Sequence, residues 1–80
     1  MRSAHSANYR GLLKLLRQLR EDAGLSQTDV AERLRRPQTW VSKVELGERR
    51  LDVEELRQLC LALDADVLSV VRMWLRVIDR

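Results

Sequence analysis

Apolar residues recur at every third or fourth position along most of the chain, which is the spacing that gathers them on one face of an α-helix. In the first predicted helix, from Asn8 to Ala23, leucines carry this repeat: Leu12, Leu13, Leu15, Leu16 and Leu19. No segment shows the alternation of apolar and polar residues that is typical of a β-strand. The pattern predicts an all-α fold in a single domain over residues 9–80, preceded by a flexible polar tail over residues 1–8.

Single residues mark the predicted helix boundaries in the middle of the chain. Gly24 readily adopts the left-handed conformation that closes a helix, and Ser26 is a favourable N-cap for a second helix. Because Pro37 disfavours the helical conformation at the preceding residue, the second helix has only about two turns. A third helix therefore begins near Pro37 and ends near Leu46, with Gly47 as its left-handed cap.

Two more helices follow. Asp52 begins the stretch DVEE, in which Glu55 lies three residues after the cap, as in a capping box. The fourth helix directs Cys60 inwards, and we expect this lone cysteine to be a small core residue rather than part of a disulfide or zinc site. The fifth helix is predicted from about Asp66 to Asp79.

The third helix is polar on the side that faces away from its apolar residues. Val41 and Val44 define the inward face, and Thr39 and Lys43 lie about 160° and 200° around the helix from Val41. Four outward or flanking side chains carry hydrogen-bonding groups: Gln38, Thr39, Ser42 and Lys43. Such groups read base edges in the major groove of DNA. The alternative is an ordinary solvated helix surface, and periodicity does not separate the two.

Charge gives a second, weaker indication. The chain has 15 Lys and Arg residues against 12 Asp and Glu residues, a net charge of +3. Arginine pairs lie on either side of the third helix: Arg35 and Arg36 before it, Arg49 and Arg50 after it. A helix in a DNA groove brings both of its ends near phosphates, which position a protein on the duplex. Simple solubility explains a modest positive charge equally well.

From Leu16 to about Leu68, the chain resembles the helix-turn-helix family of the lambdoid phage repressors and Cro, also called the xenobiotic-response-element (XRE) type. Three stretches carry the resemblance: RQLREDAGLSQTDVAERL, VSKVELGERR and ELRQLCLAL. The resemblance implies a compact five-helix bundle whose second helix crosses the DNA backbone and whose third reads the major groove. The implied base-reading residues are Gln38, Thr39, Ser42 and Lys43. The expected phosphate contacts are Gln27, Arg49 and Arg50, together with Arg36 before the third helix.

The resemblance also implies a buried salt bridge between Arg20 and Glu45, which we interpret as structural. Two positions depart from the family pattern, because Arg35 and Asp64 occupy sites where these proteins often have glycine. A left-handed residue other than glycine costs about 1–2 kcal/mol, so the turn at Arg35 has either this strain or another shape. Trp40 lies at the border of the buried face, where it packs against the core or presents an edge to DNA.

The fifth helix carries apolar residues over an arc of about 220°, against roughly 100° for an ordinary surface helix. Because large exposed apolar surfaces mark interaction sites, we expect a second copy of the chain to cover helix 66–79. The expected interface residues are Val70, Trp74, Leu75, Val77 and Ile78. The alternative is a helix packed entirely within one chain. Two copies would read a palindromic operator with half-sites about 34 Å apart.

We therefore expect a small homodimeric regulator, a repressor, that binds double-stranded DNA sequence-specifically. The alternative is a protein-interaction module such as an antitoxin-like or anti-regulator subunit. No enzymatic activity is expected, since one histidine and one cysteine assemble no catalytic or metal site. We also expect no cofactor, no metal, no small-molecule effector and no membrane association, and a cytoplasmic location.

Overall fold

The computed structural model describes residues 6–79, and these residues form five α-helices without a β-strand. The helices are α1 (Ala7–Asp22), α2 (Gln27–Leu34), α3 (Gln38–Glu45), α4 (Val53–Ala62) and α5 (Val67–Ile78). The predicted all-α bundle is confirmed, and the bounds of α1, α3 and α5 lie within about two residues of the predicted ones. None of the helices in the described residues is long and apolar enough to cross a membrane.

The predicted tail over residues 1–8 differs from the structure at its end. Residues 1–5 lie outside the described residues. Ser6 is the N-cap of α1, because its hydroxyl accepts a hydrogen bond from the backbone N–H of Tyr9. Ala7 and Asn8 are already helical. The predicted helix start at Asn8 was therefore one residue late, because the start of α1 precedes the leucine repeat.

Local capping chemistry sets the starts of α2 and α4. Ser26 and Asp29 form a reciprocal capping box at α2, and Asp52 and Glu55 form the predicted one at α4. In each box the side chain of the N-cap and the side chain three residues later accept hydrogen bonds from each other's backbone N–H groups. α3 begins differently, since Pro37 is its N-cap and offers no side-chain hydrogen bond.

The turn between α2 and α3 adopts the left-handed form even though it has no glycine. Arg35 has φ 56° and ψ 44°. The backbone N–H of Arg36 donates to the carbonyl of Ala31 at 3.0 Å, which closes the end of α2. Asp64, at the end of α4, is also left-handed, with φ 57°. Arg35 and Asp64 thus both adopt the left-handed conformation that glycine often supplies in the family, at a cost of about 1–2 kcal/mol each.

The core forms where all five helices meet. Its least exposed side chains come from α2, α3, α4 and α5: Val30, Val41, Val44, Cys60 and Val70. Cys60 is the predicted inward residue, and burial raises the pKa of its thiol to about 11. The thiol is therefore protonated at neutral pH and behaves as a small apolar group.

α5 packs against α1 and α4. Val70 is 0% exposed within the single chain, so the prediction that it lies at a dimer interface is wrong: its side chain fills the chain's own core. Trp74 is half-buried, and its indole N–H donates to the backbone carbonyl of Asn8 at 2.7 Å. Trp74 and Ile78 lie next to Gly11 of α1, where an added Cβ would meet both at ordinary contact distances. α1 therefore covers part of the wide apolar arc.

Candidate nucleic-acid interface

α3 lies at the surface with its polar residues directed outwards. Val41 and Val44 are almost completely buried, whereas Gln38, Thr39 and Lys43 are exposed. Ser42 is half-buried on one flank. The structure thus brings the predicted base-reading residues together on the outer side of one short helix. Within residues 6–79, no salt bridge involves Lys43, so its ammonium group is available to an outside acceptor.

A salt bridge fixes α3 to α1. The Nε atom of Arg20 donates to Oε2 of Glu45 at 2.7 Å, and Nη2 donates to Oε1 at 3.1 Å. The Nη1 atom donates to the carbonyl of Leu25 at 2.8 Å. Both charged side chains are only 11% exposed, and the hydrogen bond that Arg20 donates to Glu45 raises the pKa of Arg20. The bidentate geometry holds α3 in one orientation relative to the bundle.

A chain of side-chain hydrogen bonds runs along one flank of α3. The amide nitrogen of Gln27 donates to Oε1 of Glu45 at 2.9 Å, and the amide nitrogen of Gln38 donates to Oε1 of Gln27 at 2.7 Å. Gln27, predicted as a phosphate contact, therefore also links the start of α2 to α3. Within residues 6–79 no hydrogen bond uses the amide oxygen of Gln38, which is left to accept from a ligand.

The other flank of α3 is cationic. The Cζ atoms of Arg36 and Arg49 lie 4.3 and 5.7 Å from the ring centroid of Trp40. Arg49 also forms a salt bridge with Glu55 and donates to the carbonyl of Arg50 at 3.3 Å. Two of the expected phosphate contacts, Arg36 before α3 and Arg49 after it, are thus held close to its ends.

Arg50 is positioned by α1. Its Cζ atom lies 4.5 Å from the ring centroid of Tyr9. The hydroxyl of Tyr9 accepts a hydrogen bond from the backbone N–H of Leu51 at 3.0 Å, which ties the loop after α3 to the first helix. The sequence offered no signal for this contact, because Tyr9 and Leu51 are 42 residues apart.

Trp40 packs against the core. Its indole Nε1 atom is buried and has no hydrogen-bond partner among the described residues. That N–H group cannot donate to DNA, so only the outer part of the ring remains for the predicted edge contact.

Leu46 was not predicted as part of the outward face of α3, but its side chain is 65% exposed. Leu46 follows Thr39 by seven positions and Lys43 by three, a spacing that places it on the same outward face.

Two short helices joined by a tight left-handed turn, the second presenting polar side chains to solvent, define a helix-turn-helix protein. A family model described as a helix-turn-helix domain matches residues 12–70. An XRE-family like protein from Pseudomonas syringae pv. tomato str. DC3000 is 40% identical, with a TM-score of 0.88 over 92% of this chain and 90% of that chain. The chain therefore belongs to the XRE-type helix-turn-helix family, a class of DNA-binding transcription regulators.

Two further solved structures are similar. The clp gene regulator ClgR from C. glutamicum is 27% identical, with a TM-score of 0.79 over 92% of this chain and 96% of that chain. The restriction-modification controller protein C.Esp1396I shares the fold, with a TM-score of 0.85 at 20% identity over 95% of this chain and 100% of that chain. No curated protein sequence matches this chain.

Proposed function

We propose that this protein is a homodimeric transcription repressor, without enzymatic activity, that binds a palindromic operator by inserting α3 into the major groove. The observation that carries the proposal is the division of α3 into two sides. Its valines and the salt bridge of Glu45 with Arg20 fix the helix to the bundle, and its hydrogen-bonding side chains remain outside. A helix that is rigidly held yet polar outside is suited to direct readout of base edges.

The residues on the two flanks suit different parts of the duplex. We assign base reading to Gln38, Thr39, Ser42 and Lys43. We assign phosphate contacts to Gln27, Arg36, Arg49 and Arg50. Arginine side chains recognise phosphate through several N–H donors in one plane, and contacts at both ends of a helix fix its register in the groove. The operator complex of C.Esp1396I, a tetramer on its natural 35 base-pair operator, shows that this fold binds operator DNA in that protein.

The homodimer is supported by the apolar side chains that α5 leaves exposed. Leu68 is 64% exposed, Leu75 41% and Val77 48%. We propose that Leu75 and Val77, with the outer parts of Trp74 and Ile78, meet the same residues of a second copy around a two-fold axis. Two α3 helices in such a dimer would read half-sites about one helical turn apart.

A mobility-shift assay tests the reading face, with a duplex obtained by random-oligonucleotide selection. Lys43→Ala and Thr39→Ala should each weaken binding to the selected duplex by about 1–3 kcal/mol, with little effect on unrelated DNA. Lys14→Ala is the matched control, because Lys14 is exposed on α1 and is the chain's only other lysine. Equal loss of sequence preference in the Lys43 and Lys14 variants would overturn the assignment of the reading face.

The phosphate set gives a different signature. Arg49→Ala and Arg50→Ala should weaken binding to the selected and unrelated duplexes alike, and each should reduce the salt slope by about one. If one of these variants lost affinity for the selected duplex only, the arginine replaced in it would instead be a base contact.

The second candidate function is a protein-interaction module. The exposed leucines and valine of α5 favour such a module as strongly as they favour a dimer. Sedimentation of the purified chain separates the two. A homodimer that binds a selected duplex supports the repressor, whereas a chain that binds no duplex and associates only with a different protein supports the interaction module.

A further inference from the structure

Two of the three Trp and Tyr side chains of this protein lie against arginines. The chain has only two tryptophans, one tyrosine and no phenylalanine. Trp40 lies beneath Arg36 and Arg49, and Tyr9 lies beneath Arg50. All three arginines flank α3, and they come from the turn before the helix and the loop after it. Such contacts between a guanidinium and a ring face are attractive, more so where water is excluded.

The orientation of Trp40 is set by the core. Its Nε1 atom is buried, and the ring packs against the core cluster that includes Val41 and Val44. Because the N–H edge points inwards, the ring does not need to rearrange to receive a guanidinium. Arg36 and Arg49 approach the same ring from opposite ends of α3, although 13 residues separate them in the sequence.

We propose that Trp40 is a positioning residue that holds Arg36 and Arg49 ready for phosphate binding on one flank of α3. The inference rests on the proposed DNA binding and assigns Trp40 a role in it beyond packing. A guanidinium that stacks on a ring keeps its N–H donors, which lie in its plane, free for other acceptors. Within residues 6–79, no hydrogen bond or salt bridge uses the Arg36 guanidinium. Arg49 uses two of its nitrogens for Glu55 and Arg50, which leaves further N–H donors.

Confining the side chains of Arg36 and Arg49 before DNA binds favours association with DNA. A free arginine loses much of its rotamer freedom when it binds a phosphate. A side chain already confined in the unbound protein loses less at that moment, so binding is stronger. Glu55 confines Arg49 further, and it is itself fixed because it accepts the backbone N–H of Asp52 in the capping box. Trp40 therefore acts through the arginines and needs no contact with DNA of its own.

Two variants of Trp40 separate the ring from its bulk. Trp40→Phe keeps an aromatic face, and Trp40→Leu keeps apolar volume without one. We expect Trp40→Leu to weaken binding to both the selected duplex and a shuffled duplex by about three- to tenfold, and Trp40→Phe to retain most of the affinity. Thermal unfolding followed by circular dichroism identifies any loss of folded protein, and affinities are corrected for the folded fraction.

A double-mutant cycle shows whether Trp40 acts through the arginines. In the background Arg36→Ala with Arg49→Ala, Trp40→Leu should cause no further loss of affinity. A loss that persists undiminished in this background would overturn the inference, because Trp40 would then act through the fold alone. Equal affinities of the wild-type and Trp40→Leu proteins would overturn it as well.

A readout without DNA completes the test. In the free wild-type protein, the Nε–Hε NMR resonances of Arg36 and Arg49 should be shifted by the indole ring current, and Trp40→Leu should return them to ordinary positions. Unshifted resonances in the wild-type protein would overturn this inference but would leave the proposed function standing. A wild-type chain that binds no DNA would overturn the proposed function, and this inference with it.

Discussion

α3 and α5 are both surface helices of the same bundle, but they present opposite chemistry to the solvent. The outer side of α3 carries an amide, hydroxyls and an ammonium group, whereas α5 leaves the apolar side chains of Leu68, Leu75 and Val77 exposed. α3 is held from beneath by the buried Val41 and Val44, and α5 by the buried Val70. The comparison teaches that the inward face of a helix places it in the fold and that its outward face determines which partner it suits.

The two helices also differ in how they are fixed. α3 has eight residues and no side-chain N-cap, and its orientation depends on the Arg20–Glu45 salt bridge. α5 has twelve residues, begins with the N-cap Asp66 and is tied to α1 by the hydrogen bond from Trp74 to Asn8. Disrupting each attachment in turn therefore tests whether the two helices depend on different interactions.

The largest effect is expected at the salt bridge of α3. Arg20→Ala leaves Glu45 buried without its partner and should lower the free energy of unfolding by about 3–5 kcal/mol in urea denaturation. Arg17→Ala is the control, since the Arg17–Glu21 pair lies on the exposed face of α1 and contributes about 0.5 kcal/mol or less. Similar losses in the two variants would show that α3 does not depend on this ion pair.

The difference between these two ion pairs also shows what sequence could predict. Helix boundaries, the N-cap of α2 and the capping box of α4 were predictable because they depend on residues three or four positions apart. The Arg20–Glu45 bridge was expected only through the family resemblance, since its partners are 25 residues apart. The outward set of α3 followed from helical periodicity alone, although its function did not.

The contacts that sequence could not predict are tertiary. The 220° apolar arc of α5 did not reveal that Val70 is buried in the chain's own core, because periodicity gives the width of a face but not what covers it. The positions of Arg36 and Arg49 over Trp40 depend on how a turn and a loop fold back onto α3. No spacing rule along the chain describes such an approach.

The next largest effect concerns the outer face of α5. If a second copy covers this face, Leu75→Glu places a carboxylate in the interface and should weaken association by about 2 kcal/mol or more, which sedimentation equilibrium measures. Leu61→Glu is the matched control, because Leu61 is an exposed leucine on α4. If the Leu61 variant dissociated and the Leu75 variant did not, the interface would lie on α4 instead.

A smaller effect is expected at the start of α5. The carboxylate of Asp66 accepts hydrogen bonds from both the backbone N–H and the hydroxyl of Ser69. Asp66→Ala should lower the free energy of unfolding by about 1 kcal/mol in urea denaturation. Asp79→Ala, at the opposite end of α5, should cost nothing, since a negative charge is unfavourable at a helix C-terminus. Equal losses at both ends would argue against the cap.

The smallest effect is expected at the turn that leads into α3. Arg35 has a left-handed backbone, so Arg35→Gly should relieve strain of about 1–2 kcal/mol, and the greater freedom of glycine in the unfolded chain should offset part of this gain. We expect a net stabilisation of about 0.5 kcal/mol in urea denaturation. Arg35→Ala is the control, because it removes the same charge and keeps the strain. If the Ala variant were as stable as the Gly variant, charge rather than backbone strain would dominate at this turn. α3 would then owe its position to the Arg20–Glu45 bridge and its valines, with no measurable contribution from the shape of the turn.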